Sequence, residues 1–130
     1  ATTAAHPADG ARVLVYGAGR RGVALANLLE QGFDGVTVIG FLDDNDDEYQ
    51  GRRVAGRVVA GAERDLANLH SVHDITGLWL TFQPDSIKER RLGAYCRRHG
   101  IQFVILPEVV PFRVIADAVS GGEPAQSVGS

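Results

Sequence analysis

The stretch Arg12-Val-Leu-Val-Tyr-Gly-Ala-Gly-Arg-Arg-Gly22, followed by Val38-Ile-Gly-Phe-Leu-Asp-Asp44, decides the fold. The apolar run from Val13 to Tyr16 suits a strand buried on both faces. Gly17, Gly19 and Gly22 follow it at dinucleotide-turn spacing, immediately before a helical pattern. Each glycine has its own task in such a turn. Gly17 permits the sharp bend, Gly19 lets backbone amides approach a pyrophosphate, and Gly22 lets the new helix pack close to the strand. A second apolar strand, Val36 to Leu42, ends at Asp43, where the spacing of such sites places an acid about 20 residues after the glycines. A carboxylate there accepts both hydroxyls of an adenosine ribose and repels a 2′-phosphate, which favours NAD over NADP. The alternative is a turn that joins strand to helix and binds nothing.

Working outward, 130 residues fit one domain with a real core but not a two-domain dehydrogenase. The chain contains no methionine and begins loosely at Ala1-Thr-Thr-Ala-Ala-His-Pro7, so it reads as a piece of a longer protein in preference to a Met-poor chain that lost its initiator. A formal net charge of −3 argues against a nucleic-acid surface. The arginine pairs Arg90-Arg91 and Arg97-Arg98 read as solvated helix faces. A single cysteine, Cys96, excludes an internal disulfide and fits a reducing compartment. No signal peptide or membrane-spanning run is visible, so the piece is expected to be cytoplasmic and not itself inserted in a membrane.

Helical spacing from Arg20 directs Val23, Leu25, Ala26, Leu28 and Leu29 toward a sheet until Gly32. An acidic loop runs from Asp44 to Gln50, and Gly51 to Gly61 suggests a small strand between turns. A short helix from Ala62 to Leu69, a strand from Gly77 to Phe82 and a helix capped within Gln83-Pro84-Asp85-Ser86 follow. That helix reaches His99 with Ile87, Leu92, Tyr95 and Cys96 inward, and Ile101 to Leu106 forms a last strand before Pro107. Alternating strands and helices imply an α/β fold, a doubly wound, mainly parallel sheet of about five strands with helices on both faces. The expected organisation is a flexible lead over 1–11, a nucleotide-binding domain over 12–116 and a flexible tail over 117–130. The small, polar stretch from Gly121 to Ser130 reads as disordered or as a linker.

Four segments stand in a telling order: Val13-Leu-Val-Tyr-Gly-Ala-Gly19, Ile39-Gly-Phe-Leu-Asp-Asp-Asn45, Gly51-Arg-Arg-Val-Ala-Gly-Arg-Val-Val-Ala-Gly61 and Ile105-Leu-Pro-Glu108. In this the chain resembles the Rossmann-like, CoA-binding-like domain of bacterial polysaccharide-biosynthesis proteins, from about Arg12 to Pro111. That domain precedes the catalytic part of membrane-associated nucleotide-sugar epimerases and dehydratases, and related copies occur in membrane sugar-phosphate transferases. The resemblance implies Gly17, Ala18, Gly19 and Gly22 around a pyrophosphate and Asp43 at a ribose, with Asp44 beside it. It also implies a parent protein at the inner membrane, a dinucleotide or nucleotide-sugar ligand, and catalysis outside this piece. Arg20 and Arg21 depart from the family's small or acidic residues. Arg20 either clamps a phosphate or extends into solvent, and Arg21 is expected in solvent. Phosphate-binding arginines would open the site to coenzyme A.

The short-chain dehydrogenase pair, a Tyr followed four positions later by Lys, is missing, and Lys88 is the only lysine. Without it no obvious group moves the hydroxyl proton during hydride transfer, so a binding module is expected over an enzyme. His70, His73 and His99 read as surface residues, and the cluster Asp43, Asp44, Asp46 and Asp47 as a solvated loop in preference to a metal site. Trp79 and Phe82 read as core in preference to a base-stacking platform. Thr81 and Gln83 fall at the carboxyl end of a strand, the rim where ligands of open parallel sheets collect, and either can meet a nicotinamide-side ribose or a pantetheine arm. Three functions remain open: a non-catalytic NAD(H)-binding domain, the cofactor domain of a nucleotide-sugar dehydrogenase or epimerase, and an assembly module that has lost its ligand. Phe112-Arg-Val-Ile115 either packs back on the sheet or forms a homodimer contact.

Overall fold

The computed structural model describes residues 6–45 and 51–106. The expectations for Asp46 and Asp47, for Phe112 to Ile115 and for the tail lie outside the described residues. In chain order the elements are β1 (Arg12–Tyr16), α1 (Arg20–Gly32), β2 (Thr37–Leu42), β3 (Arg53–Val54) and β4 (Arg57–Gly61). A 3₁₀ turn (Glu63–Asp65) leads into α2 (Leu66–His73), then β5 (Gly77–Leu80), α3 (Ser86–His99) and β6 (Gln102–Ile105). The sheet has six strands in the order β3-β4-β2-β1-β5-β6. Only the β3/β4 pair is antiparallel. This is the Rossmann-like α/β fold.

Alternation along β1 creates two cores. Val13 and Val15 meet Leu25, Ala26 and Leu29 of α1 on one face, with Phe41 and Trp79. Leu14 and Tyr16 meet Leu66 and Leu69 of α2 and Leu92 and Cys96 of α3 on the other. Trp79 is fully buried, which settles it as core.

Three details differ from the sequence reading. The stretch 51–61 is a hairpin of two strands, because Ala55 and Gly56 both take positive φ (51° and 85°) and reverse the chain between them. The short helix extends past Leu69 to His73, where Asp74 enters the left-handed region (φ 57°) and its amide donates to the His70 carbonyl. Ile87 is 68% exposed instead of inward. It lies five positions before Leu92, roughly 140° around the helix from the buried stripe, whereas Lys88, four before Leu92, lies on it. Further, His6 and Pro7, expected in a loose lead, are tied in: Pro7 is buried, His6 meets the Phe33 ring edge-on, and Gln102 donates to the His6 carbonyl.

Because β4 leads across to β5 on the far side of β1, strand order reverses between β1 and β5. The carboxyl ends of these two strands therefore flank the crevice where open parallel sheets bind ligands.

Candidate functional site

The turn after β1 is built on that crevice. The Gly17 amide donates to the Leu42 carbonyl at 2.7 Å, and Gly17 takes φ +110°, a region that side chains disfavour. A Cβ at Gly17 would strike the Thr81 hydroxyl, and a Cβ at Gly22 would strike the Gly17 carbonyl oxygen. Two of the three glycines are thus required by the chain's own packing. Gly19 is different. It precedes α1 in an extended conformation (φ −75°, ψ −161°), and a Cβ there would meet no atom of the described residues within 4 Å. No side chain caps α1 at Gly19 and no acid stands in its first turn, so the helix end presents amides and partial positive charge outward.

Asp43 follows β2 directly, and its amide donates to the Gly61 carbonyl at 2.9 Å. Its carboxylate accepts from the Ala18 amide at 2.8 Å through Oδ2 and from the Asn45 amide at 2.9 Å through Oδ1. Each oxygen has spent one lone pair on the loop and keeps another. Ala18's amide is therefore an internal brace between the glycine turn and β2.

Asp44 faces a different set of partners. Its Oδ1 accepts from the Tyr16 hydroxyl and its Oδ2 from Lys88 Nζ, each at 2.6 Å. Lys88 also lies 3.5 Å from Glu63, which Arg91 holds in a two-point contact at 2.5 and 2.8 Å. Burial pushes the Asp44 carboxyl up, yet the hydrogen bonds from Lys88 and Tyr16 and the Lys88 charge together hold it below the usual range. Glu63 is also held low, chiefly by the Arg91 hydrogen bond, with burial opposing. Tyr16 is pushed well above an ordinary phenol, first by burial, then by the bond to Asp44 and the surrounding carboxylates.

Gly17, Ala18, Gly19, Gly22 and Asp43 come together as one site, and a cavity of about 170 Å³ beside them is lined by Tyr16, Gly17, Asp43, Asp44, Asn45 and Phe82. Phe82 is half-buried at this cavity, edge-on to Tyr16 with ring centroids 5.1 Å apart. Arg20 is exposed at the first position of α1. Arg21, expected in solvent, instead donates from Nε to the Thr81 carbonyl at 3.3 Å, since the second helical position faces the crevice. Thr81 is buried and its hydroxyl donates to the Tyr16 carbonyl at 3.1 Å, so it ties β5 to β1. Gln83 is exposed and its amide donates to Glu89 at 3.0 Å, across the start of α3.

The histidines lie apart from this rim. His70 contacts the Tyr95 hydroxyl at 3.1 Å and the His99 ring, on α2 and α3. Among the described residues no three His, Cys, Asp or Glu converge as a metal site. Also among the described residues, no helix is long and apolar enough to cross a membrane. Tyr16, Asn45 and Lys88 are site neighbours that sequence reasoning missed. Tyr16 was visible as the polar-tipped end of an apolar run, and Lys88 as the single lysine on α3's buried stripe, but nothing in the sequence showed that both reach Asp44.

No family model matches the chain, and no curated protein matches it. Solved structures do. UDP-D-quinovosamine 4-dehydrogenase from Vibrio fischeri is 26% identical, with a TM-score of 0.61 over 88% of this chain and 86% of that one. RSP, a Rex-family repressor, gives a TM-score of 0.60 at 18% identity, over 86% of this chain and 58% of the repressor. The repressor in complex with β-NADH gives 0.59 at 19%, covering 85% and 58%. Its complex with β-NAD+ and operator DNA gives 0.58 at 20%, covering 85% and 55%. The chain thus spans a little over half of the repressor, and at these identities the repressor likeness is one of fold.

Proposed function

We propose that this chain is an NAD(H)-binding domain of a larger cytoplasmic or inner-membrane-attached polysaccharide-biosynthesis protein, and that it binds the dinucleotide without itself catalysing a reaction. The observation that carries the reading is Gly19. Among the described residues nothing excludes a side chain there, so we read its glycine as close approach of a ligand to the uncapped start of α1. The neighbouring groups fit the same ligand. The first-turn amides of α1 and the Arg20 guanidinium hold the pyrophosphate, and the remaining lone pairs of Asp43 accept the adenosine ribose hydroxyls. Thr81 and Gln83 lie on the nicotinamide side, Thr81 bonded to the Tyr16 carbonyl and Gln83 exposed beside Glu89. When bound, the dinucleotide supplies a hydride acceptor or donor, or a redox signal.

Calorimetric and thermal-shift titration with NAD, NADH, NADP, coenzyme A and UDP-sugars tests this, since a ligand selective for the folded state raises its stability by mass action. NAD or NADH is expected to bind with NADP rejected. A preference for coenzyme A would move the role to Arg20 and Arg21, and silence across the panel would leave an assembly module.

A second reading, the cofactor domain of a nucleotide-sugar dehydrogenase, is favoured by the 26% identity to the quinovosamine dehydrogenase over most of that chain. It predicts stoichiometric NADH formation from NAD and a UDP-sugar, first with this chain and then with a parent protein that contains it.

A further inference from the structure

Asp44 lines the same cavity as Gly17 and Asp43, yet both of its oxygens are held by other groups. We infer that Lys88 is a positioning residue of this site, which draws the Asp44 carboxylate onto itself and Tyr16 so that, among the described residues, a ligand diphosphate meets one uncompensated acid, Asp43, instead of two. The inference rests on the nucleotide-binding reading and adds to it a determinant of how much ligand phosphate charge the site accepts.

Lys88 is fixed from three directions. Its ammonium lies 2.6 Å from Asp44 Oδ2, 3.5 Å from Glu63 Oε1 and 5.1 Å from the centroid of the Tyr16 ring. Its side chain is only 17% exposed, because the residue sits on the buried stripe of α3. A flexible lysine confined to that extent holds its partner's carboxylate in one place. With Arg91 closing on Glu63, Asp44 and Glu63 are balanced by Lys88 and Arg91, and the group as a whole is neutral. Asp43 stands outside this quartet, with amides as its hydrogen-bond partners.

Loss of the lysine charge would leave a net negative charge on the cavity wall and free an Asp44 oxygen. In a surface site one such charge several ångströms from a diphosphate changes affinity on the order of tenfold, and salt reduces the effect. Adenosine, which lacks phosphate, should feel little of it.

The test is calorimetric titration of the wild type, Lys88→Met, Lys88→Arg, Asp44→Asn and the Lys88→Met/Asp44→Asn double variant with NAD, ADP and adenosine at low and high ionic strength. Lys88→Met is expected to weaken NAD and ADP about tenfold at low salt, with adenosine close to wild type and the loss shrinking in salt. Lys88→Arg and the double variant should restore most of the affinity, and Asp44→Asn alone should bind NAD as well as or better than wild type. A loss of equal size for adenosine and ADP in Lys88→Met, a double variant no better than Lys88→Met, or weaker NAD binding in Asp44→Asn would each overturn the role. Wild-type binding with Lys88→Met unchanged removes Lys88 alone, whereas a wild type that binds none of the three removes the nucleotide reading with it.

Discussion

Glycine-to-alanine changes at Gly19 and Gly22 should separate binding from folding. At Gly22 the new methyl would collide with the Gly17 carbonyl oxygen, a backbone atom fixed by the turn, so relief requires moving α1 away from β1. Overpacking of this kind costs about 3 kcal/mol, which lowers the melting temperature by about 10 °C for a domain of this size. At Gly19 the methyl meets nothing within 4 Å among the described residues and the backbone is extended at φ −75°, a conformation open to alanine. Two small terms then oppose each other. Alanine restricts the unfolded chain, worth about 0.4–1 kcal/mol, but it is a poorer helix N-cap than glycine by a similar amount. Stability should therefore stay within about 1 kcal/mol of wild type. Binding should not, because the methyl projects where a pyrophosphate must approach the first-turn amides. Differential scanning calorimetry and NAD titration of both variants would show a stable, non-binding Gly19→Ala and a destabilised Gly22→Ala. A Gly19→Ala protein with wild-type NAD affinity would refute the placement of the pyrophosphate, and a Gly22→Ala protein with an unchanged melting temperature would refute the packing argument.

Asp43→Ala should weaken NAD about tenfold or more, in line with loss of hydrogen bonds to a charged group, and weaken coenzyme A less; parallel titrations that show equal losses would remove the ribose role. The acid limb of stability should depend on Glu63. Its folded pKa is lowered, chiefly by Arg91, so its stabilising contribution is present above the ordinary carboxylate range and is lost as pH falls through the lowered value. Urea melts across pH should therefore show wild type losing stability below about pH 4 more steeply than Glu63→Gln, and coincident curves would count against the Arg91 contact. Cys96 is buried and its thiol is pushed up to about 11 by that burial, so a thiol reagent at neutral pH should label it only through unfolding. Labelling of the native protein at the rate of a free thiol would contradict its place in the core.

The parts of this structure that were legible in the sequence are those set by local rules. A continuous apolar run reads as a strand because both faces of β1 are covered, and the glycine spacing reads as a turn because Gly17 and Gly22 meet steric limits within a few residues of one another. The turn Gln83-Pro84-Asp85-Ser86 was readable as a cap, and within it Asp85 accepts the Lys88 amide. Properties decided by tertiary contact were not readable. Ile87 looks like a core residue by composition, but helical phase sends it to solvent and places a lysine on the inner stripe. The Arg21 guanidinium reaches the Thr81 carbonyl just after β5, and the Ala18 amide is spent on Asp43, because β1, β2 and β5 end side by side. Sequence spacing carries no record of that adjacency.

The same adjacency bears on whether the site performs chemistry. A tyrosine and a lysine that are far apart in sequence do meet at the rim, Lys88 Nζ lying 5.1 Å from the Tyr16 ring centroid. A tyrosine that exchanges a proton with a substrate hydroxyl needs an accessible oxygen and a pKa brought down toward the working pH. Tyr16 has the opposite settings. It is 1% exposed, its hydroxyl donates to Asp44, and burial with the surrounding carboxylates raises its pKa. Lys88, which in a catalytic pair would lower the phenol's pKa, is instead drawn to Asp44 and Glu63. The pair therefore holds the Asp44 carboxylate just after β2. These settings do not suit Tyr16 and Lys88 to the proton transfer that hydride chemistry needs.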